Sequence, residues 1–146
     1  MIVFPAAELA RLRAACAAAY PDEACGLLVG RIDGAAYRVS RLEPSRNLAA
    51  DRRHAFEIDP RLRLAQQRAL RGSGEAIVGL YHSHPDGSDR PSATDLENAW
   101  EPELVWVIAA VAGGRVGAVS AHLLDQTAGR FRRIGLQTAG AWTGRD

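Results

Sequence analysis

Cysteine is scarce in this chain of 146 residues, and its two copies, Cys16 and Cys25, fall in a predicted helix and a predicted strand. A disulfide-stabilised scaffold is therefore not expected, and a reducing cytoplasm is the predicted compartment. The N-terminus carries Glu8 and Arg11 where a secretory signal needs an unbroken apolar core. The longest apolar run, Leu104 to Ala112, is far below the roughly 20 residues that a membrane span requires. We therefore expect a soluble protein without a membrane partner.

Charge of one sign is not in excess either, since 18 Lys+Arg face 17 Asp+Glu. This balance gives no electrostatic case for nucleic acid as a partner. Trp100, Trp106 and Trp142 are too widely spaced to form a stacking platform for bases, and we expect the first two in the core. A function that depends on nucleic acid is therefore not predicted.

Apolar periodicity and turn residues divide the chain into alternating helices and strands. The pattern predicts helices over residues 6–20, 60–71 and 92–100, strands over 24–31, 36–42, 76–84, 104–111 and 115–124, and an edge strand over 130–134. This order predicts one α/β domain over residues 1–136, with a mixed β-sheet flanked by helices. The segment 137–146 is rich in Gly, Ala and Thr, and we expect a loosely ordered C-terminal tail there.

Two histidines stand at the end of a predicted buried strand. Residues 76–80 are apolar and partly β-branched, and they run through Tyr81 into His82 and His84. Because side chains alternate faces along a strand, both imidazoles project to the same side, with α-carbons roughly 6.6 Å apart. The pair can therefore converge on one metal ion, although an H-x-H pair alone is weak evidence for a metal.

The loop of residues 85–91 is rich in turn residues, and it leads into a predicted helix whose first turn contains Ser92 and Asp95. A tight loop returns Asp95 towards the histidines, so that two imidazoles and one carboxylate give three protein ligands. That set leaves zinc a fourth position for water, as in catalytic sites. The spacing of Ser92 and Asp95 is also typical of an N-terminal capping box with Asp in place of Glu. Neither H-E-x-x-H nor H-x-E with P-C-x-x-C is present, which excludes two other zinc chemistries.

The arrangement His82-Ser83-His84, seven residues, Ser92, two residues and Asp95 resembles without a gap the H-[ST]-H-x7-S-x2-D signature of the JAMM (JAB/MPN+) zinc metallopeptidases. Further matches to the small prokaryotic branch extend the resemblance to about the first four-fifths of the chain. These are the segment Pro21–Gly30, Asn47 and the segment Ala55–Pro60. The resemblance implies a deaminase-like JAB/MPN fold with Zn2+ at the edge of the sheet, held by His82, His84 and Asp95, and with Glu23 on a neighbouring strand.

The resemblance also implies the catalytic roles of Glu23 and Ser92. Zinc lowers the pKa of bound water from about 15.7 towards 7, and Glu23 would take the proton of that water and deliver it to the departing amine. The hydroxyl of Ser92 would help to stabilise the oxyanion. Spacing alone does not select Glu23 from the other acids. These are Asp22, Asp51, Glu57, Asp86 and Glu97.

Four other polar residues have structural interpretations. Ser83 points away from the two histidines and is expected to pack or to bond to the backbone. Cys25 lies in an apolar strand without an activating base, which favours a buried thiol. His54 is expected in a solvated basic cluster, and His122 is expected to be a packed structural histidine.

The substrate is implied by the resemblance alone. Members of this family cleave the bond after the C-terminal Gly-Gly of ubiquitin or ubiquitin-like proteins, and the small prokaryotic branch is associated with ubiquitin-like sulfur carriers. A tail without side chains suits a narrow cleft and could lie along the edge of a sheet by β-augmentation. Two rival hypotheses are a non-catalytic zinc-binding interaction module and a zinc amidase that acts on small molecules. The oligomeric state stays open, with a homodimer among the options.

Overall fold

Eight strands form one mixed sheet in the computed structural model, which describes residues 1–139. The strands are β1 (Ile2–Pro5), β2 (Cys25–Asp33), β3 (Ala36–Ser45), β4 (Ala76–His84), β5 (Val105–Ala112), β6 (Arg115–Asp125), β7 (Arg130–Ile134) and β8 (Leu136–Ala139). The helices are α1 (Ala6–Ala19), α2 (Pro60–Ala69) and α3 (Ala93–Glu97). The predicted α/β class is therefore confirmed.

Strand β4, which carries the two histidines, lies in the interior of the sheet, whose order is β7-β6-β5-β4-β2-β3-β1-β8. It pairs in parallel with β5, so that His82 lies opposite Ile108, and antiparallel with β2, so that His82 lies opposite Cys25. Gly26 in β2 leaves room for a neighbouring ring, because an added Cβ would lie 2.4 Å from Cε1 of Tyr81. This close approach fixes β2 against the histidine strand.

Helix α1 packs one face against the sheet. Leu12 and Cys16 are fully buried, and Leu9 and Ala19 pack against the same core. A fully buried side chain such as Leu12 stabilises the fold by about 1.5–3 kcal/mol. Within residues 1–139, no helix has both the length and the apolar character that crossing a bilayer requires.

The two strands at one end of the sheet, β1 and β8, were not predicted from the sequence. Strand β1 pairs in parallel with β3 and with β8, and Ile2 and Phe4 are fully buried. These strands have only four residues each, and their partners are distant in sequence, so no local pattern reveals them. The predicted loose tail was placed from Gln137 onwards, which is wrong for Gln137 to Ala139 because these residues lie in β8. Residues 140–146 lie outside the described part.

Two further expectations need correction. Trp100 was expected in the core but is 81% exposed, because α3 ends at Glu97 rather than near residue 100 and the indole Nε1 donates a hydrogen bond to the Glu97 carbonyl. Trp106 is buried as predicted, whereas Trp142 lies outside the described residues. The histidines stand at the end of a buried strand, as expected, but this strand is interior, whereas the resemblance implied a metal at the edge of the sheet. Strand β4 is therefore already paired on both sides near His82.

Candidate metal centre

The side chains of His82, His84 and Asp95 converge at the end of β4. His82 Nε2 and His84 Nε2 lie 3.1 Å apart, and they lie 3.1 Å and 3.0 Å from Asp95 Oδ2. Each of the three residues is at most 6% exposed. The alternation of side chains along β4 and the return of the chain through α3 therefore bring together the three residues that the sequence singled out.

Helix α3 holds Asp95 through its N-terminal capping box. The Ser92 amide donates to Asp95 Oδ2 at 2.9 Å, and the Asp95 amide donates to Ser92 Oγ at 3.0 Å. The capping interpretation of this spacing is therefore confirmed, and it does not compete with a ligand role. Oδ2 accepts the Ser92 amide while it faces both imidazoles, so the cap orients the carboxylate towards the histidines.

The loop of residues 85–91 is held from both sides. The Ser88 carbonyl lies 3.1 Å from His84 Nδ1, which fixes the orientation of that imidazole. The Asp89 carbonyl accepts a hydrogen bond from Ser120 Oγ at 2.7 Å, and Ser120 Oγ also lies 2.8 Å from His122 Nε2. His122 is thus a buried structural histidine, as predicted, and its pair with Ser120 anchors the loop.

An aromatic wall covers His82. The ring of Phe56 stacks on the imidazole at a centroid distance of 4.2 Å, and Trp106 meets it edge-on at 5.5 Å. His82 Nδ1 has no hydrogen-bond partner among the described residues. From the sequence, Phe56 was recognised only within a segment that resembles the family. Its contact with His82, 26 positions later in the chain, leaves no periodic signal.

Glu23 lies two residues before β2 and is 5% exposed. Its amide donates to the Arg52 carbonyl at 2.7 Å, and its carbonyl accepts from Asn47 Nδ2 at 3.0 Å. The carboxylate oxygen Oε1 is buried and has no partner among residues 1–139. Both sides of the Glu23 peptide are therefore fixed, while the carboxylate is left without a hydrogen bond at this oxygen.

Asn47 connects Glu23 with the segment that carries Phe56. Its Nδ2 also donates to the Ala55 carbonyl at 3.0 Å, and its Oδ1 accepts from the amides of Ala49 and Glu57 at 3.0 Å and 3.1 Å. Both donor hydrogens and both acceptor positions of the amide are thus used. A single side chain therefore fixes the segment to the backbone of Glu23, which the sequence analysis did not recognise.

The environment favours the charged forms of Asp95 and His84 but the neutral form of His82. Burial raises the pKa of Asp95, but hydrogen bonds and charge from His82 and His84 outweigh it and hold the pKa well below its ordinary value. Burial lowers the pKa of His82 and is the dominant cause there. Burial also lowers the pKa of His84, but the hydrogen bond and charge of Asp95, with the charge of Glu23, outweigh it and raise the pKa.

Glu23 behaves in the opposite way. Burial raises the pKa of its carboxyl to about 8, the charge of His84 opposes this shift, and the charges of Asp95, Asp86 and Asp51 add to it. Two carboxylates beside one histidine pair therefore have opposite preferences, one for the charged form and one for the neutral form. Such a separation is typical of sites that use one carboxylate as a fixed charge and another as a proton carrier.

The donor atoms fit a divalent metal. Tetrahedral zinc with ligands about 2.0–2.1 Å away holds its ligand atoms about 3.3 Å apart, and the three atoms of His82, His84 and Asp95 lie within 3.1 Å of one another. Glu23 offers an alternative third ligand, because its carboxylate oxygen and one nitrogen from each histidine lie within 4.8 Å of one another. The group is therefore compatible with a metal through either carboxylate.

The remaining polar residues follow their structural interpretations. Ser83 Oγ accepts the Ala24 amide at 2.8 Å inside the fold. Cys25 is buried, and burial raises the pKa of its thiol to about 12, so it is not an activated nucleophile. His54 is exposed and pairs with Asp51 at 2.9 Å. Ser92 is exposed at the centre, and its hydroxyl accepts the Asp95 amide while it keeps its own hydrogen for donation.

A cleft of about 360 Å³ opens onto the centre. One wall contains residues Tyr20, Pro21, Glu23, Arg53 and His54. The other wall is formed by the end of β4, the loop of residues 85–91 and the N-cap of α3. The residues of that second wall are His84, Pro85, Asp86, Ser88, Arg90, Pro91 and Ser92. Glu23 and His84 therefore both line this cleft, with their polar atoms within 4.8 Å of each other.

Comparison with known proteins gives a consistent result. The model of the family described as prokaryotic homologs of the JAB domain matches residues 5–123. The desampylase of Haloferax volcanii is 36% identical over 126 residues, which cover 86% of this chain and 85% of that protein. The CysO-cysteine peptidase of Mycobacterium tuberculosis is 37% identical over 90 residues, which cover 61% of this chain and 59% of that protein.

Solved structures agree with these relatives. A protein from Desulfitobacterium hafniense superimposes with a TM-score of 0.85 at 29% identity, over 99% of this chain and 97% of that one. A JAB1/MPN domain protein from Archaeoglobus fulgidus has a TM-score of 0.60 at 20% identity, over 95% of this chain and 99% of that one, which shows the shared fold. The predicted JAB/MPN fold is confirmed. The chain therefore belongs to the family of prokaryotic homologs of the JAB domain, and it is a hydrolase of that family.

Proposed function

We propose that this chain is a zinc-dependent metallopeptidase that hydrolyses the amide bond after the C-terminal Gly-Gly of a ubiquitin-like sulfur carrier. The observation that carries the proposal is the convergence of His82, His84 and Asp95 within 3.1 Å, with the buried Glu23 carboxylate beside them at the base of a cleft. A module that only binds a metal does not need a buried carboxyl with a raised pKa in such a cleft.

His82 Nε2, His84 Nε2 and Asp95 Oδ2 would hold the ion. When bound, zinc would supply Lewis acidity, which makes water acidic near neutral pH and polarises a carbonyl group. Asp95 suits the ligand role because its hydrogen bonds hold the pKa of its carboxyl low, so that it stays charged. The loop carbonyl of Ser88 would keep His84 in the orientation that presents Nε2.

Glu23 would move the proton. Its raised pKa suits a group that takes a proton from the attacking water and returns it to the departing amine, since an acid–base catalyst works best near the operating pH. Burial of Oε1 without a hydrogen-bond partner leaves that oxygen available. The fixed backbone of Glu23 would keep the carboxylate over the bond to be broken.

Ser92 would stabilise the oxygen of the scissile carbonyl. Its Oγ accepts the Asp95 amide at 3.0 Å, so the position of the hydroxyl is fixed by the helix cap. The hydroxyl hydrogen remains free to point into the cleft, which Ser92 lines. A donor held in place in this way costs no reorganisation when negative charge develops on the carbonyl oxygen.

Two features support a Gly-Gly tail. The cleft has three prolines and Tyr20 in its walls, so an extended segment without side chains would enter it most easily. The interior position of β4 argues against the earlier idea that the tail extends a free sheet edge at the histidines. The relatives named desampylase and CysO-cysteine peptidase support cleavage of conjugates of ubiquitin-like sulfur carriers.

The test is intact mass spectrometry of a Gly-Gly sulfur carrier extended by one or a few residues and incubated with the zinc-loaded protein. We expect a new C-terminus at Gly-Gly, and no product with the Glu23→Gln variant. A carrier whose penultimate Gly is replaced by a bulky residue should resist cleavage. Equal cleavage of that bulky carrier, or hydrolysis of unrelated small amides only, would contradict the proposed substrate.

A further inference from the structure

Arg53 and Arg90 face the same cleft from opposite walls. Both are exposed, and neither guanidinium has an ion pair or a hydrogen bond to any residue of the described part of the chain. Two unpaired guanidinium groups beside a buried carboxyl and a histidine pair form a concentrated positive region at the entrance of the centre. This feature has no role in the chemistry proposed for Glu23 and Ser92.

Three acids next to cleft residues in the sequence form ion pairs with basic residues other than Arg53 and Arg90. Asp22 pairs with Arg52 at 3.4 Å, Asp51 with His54 at 2.9 Å, and Asp89 with Arg133 at 3.6 Å. The acids that line the cleft itself are Glu23 and Asp86, and Asp86 accepts the Ser88 amide at 2.9 Å within its own turn. No salt bridge joins Arg53 or Arg90 to any of these acids within residues 1–139, so both guanidinium groups remain open to an external anion.

The backbone around Arg90 is fixed before any substrate binds. The Arg90 amide donates to Ser88 Oγ at 3.2 Å, and Ser120 Oγ holds the Asp89 carbonyl at 2.7 Å. Pro91 follows directly and restricts the chain between Arg90 and Ser92. The guanidinium therefore starts from an anchored position two residues from the proposed oxyanion donor, which lowers the entropy cost of binding an anion.

We propose that Arg90, with Arg53 across the cleft, binds the free carboxylate of the amino acid or short peptide that is released from the carrier. This inference rests on the proposed function and specifies the substrate on the far side of the cut bond. A guanidinium matches a carboxylate with two parallel N–H···O bonds, whereas a neutral amide lacks the charge that these bonds need. The preferred substrate then ends shortly after Gly-Gly, in contrast to a conjugate on a lysine side chain within a folded protein.

The name of one relative, CysO-cysteine peptidase, describes an adduct with a single amino acid. Such an adduct carries its α-carboxylate next to the bond that is cut, and the cleft that opens onto the centre is lined by both arginines. An isopeptide conjugate within a protein has no such terminal charge there. The two arginines therefore favour a terminal-residue peptidase over an enzyme that removes carriers from protein lysines.

The test uses two semisynthetic carriers that end in Gly-Gly-Ala, one as the free acid and one as the neutral C-terminal amide. Cleavage of both by the zinc-loaded protein is followed by intact mass, and binding of both to the Glu23→Gln variant is measured by calorimetry. We expect the free acid to be favoured at least tenfold in kcat/KM and in Kd, because a site built for a charged group rejects the uncharged analogue.

Three substitutions locate the effect. Arg90→Met and Arg53→Met keep the length and the apolar character of the stem but remove the charge, and each should bring the ratio of free acid to amide towards one. Arg68→Met is the matched control, because Arg68 is exposed on α2 and does not line the cleft. Arg90→Lys should recover only part of the preference, since lysine lacks the bidentate geometry. Zinc content and melting temperature confirm that every variant is folded.

The outcomes separate this inference from the proposed function. Equal handling of acid and amide by the unmodified protein would overturn the carboxylate site while the peptidase assignment stands. A preference for the acid that survives both Arg53→Met and Arg90→Met would overturn the assignment to these residues. Failure to bind or cleave either carrier, with zinc bound, would overturn the proposed function itself.

Discussion

Two carboxylates reach the same histidine pair from different parts of the chain. Asp95 comes from the local side, 11 residues after His84, and is oriented by the cap of a short helix. Glu23 comes from the distant side, about 60 residues before the histidines, and is fixed only through its backbone by Asn47 and Arg52. Both carboxylates are 5% exposed, so burial alone does not distinguish them.

The difference lies in their partners. Asp95 accepts hydrogen bonds from two imidazoles and an amide, and these hold the pKa of its carboxyl below the ordinary value in spite of burial. Glu23 has a buried oxygen without such a partner, and burial raises the pKa of its carboxyl to about 8. The comparison teaches that hydrogen-bond supply decides which buried carboxylate is a fixed charge and which one carries protons.

Removal of a histidine should have the largest effect, because it removes one of the three proposed metal ligands. His84→Ala should lose the zinc that the unmodified protein binds at about one ion per chain, and hydrolysis should fall by about 10³-fold or more, since the ion supplies several kcal/mol. Metal analysis by mass spectrometry measures the occupancy. His54→Ala, which removes an exposed histidine paired with Asp51, should keep the metal. Full zinc occupancy in His84→Ala would contradict the assignment of His84 as a metal ligand.

Replacement of the distant carboxylate should slow the reaction less severely. Glu23→Gln keeps a similar shape and removes the proton carrier, so we expect hydrolysis to fall by about 10²- to 10⁴-fold. Single-turnover measurements with an extended carrier give the rate of the chemical step. Near-normal turnover would mean that another group carries the proton.

The backbone anchor of Glu23 offers a finer test. Asn47→Asp keeps the acceptor oxygen but removes the donor to the carbonyls of Glu23 and Ala55. We expect kcat to fall by about tenfold with little change in KM, because the carboxylate loses its position rather than its chemistry. Asn98→Asp is a matched control, since the side chain of Asn98 donates, among the described residues, only to the Thr94 carbonyl on the exposed end of α3. Equal effects of the two substitutions would argue against a special role for Asn47.

Replacement of Glu23 should also change the stability of the fold, and this effect depends on pH. The pKa of the Glu23 carboxyl is about 8 in the folded protein against an ordinary value of 4.5. As the pH rises between these values, the unfolded chain releases this proton and the folded chain keeps it, so the folded state loses stability. Metal-depleted Glu23→Gln should therefore gain on the order of 4 kcal/mol in free energy of unfolding at pH 7.5 and almost nothing at pH 4.5.

Urea unfolding at both pH values, with a chelator present, measures this difference. Bound zinc should shrink it, since a nearby cation favours the charged carboxylate. A gain that is the same at pH 4.5 and at pH 7.5 would show that Glu23 destabilises the fold by its shape and not by its proton.

The convergence of His82, His84 and Asp95 could be predicted from their spacing in the sequence, whereas the position of Glu23 beside them could not. The alternation along β4 and the capping pattern of Ser92 and Asp95 are short-range signals, and they correctly indicated that these residues meet the histidines. Glu23 was selected among several acids only by a family resemblance. Asn47 and Phe56 act through contacts between distant segments, and Arg53 and Arg90 line one cleft from segments far apart in sequence. Neither periodicity nor turn chemistry encodes such an arrangement.

The same limit applies to the fold. The central strands and helices follow from apolar patterns of seven or more residues, and their predicted ends lie within about three residues of the observed ones. The end of α3, three residues earlier than predicted, leaves Trp100 exposed. Strands β1 and β8 have four residues each, and only their long-range pairing makes them strands. The sequence therefore predicts the helices and the strands β2 to β7, but not β1 and β8 at one end of the sheet.

The most direct test of the account is the zinc content of Glu23→Gln and Asp95→Asn, purified and measured side by side. Either carboxylate could serve as the third ligand by distance, since both lie within reach of the two histidines. The account predicts about one zinc per chain in Glu23→Gln and little or none in Asp95→Asn. Loss of zinc from Glu23→Gln together with full zinc in Asp95→Asn would contradict it, because the two carboxylates would then have exchanged roles.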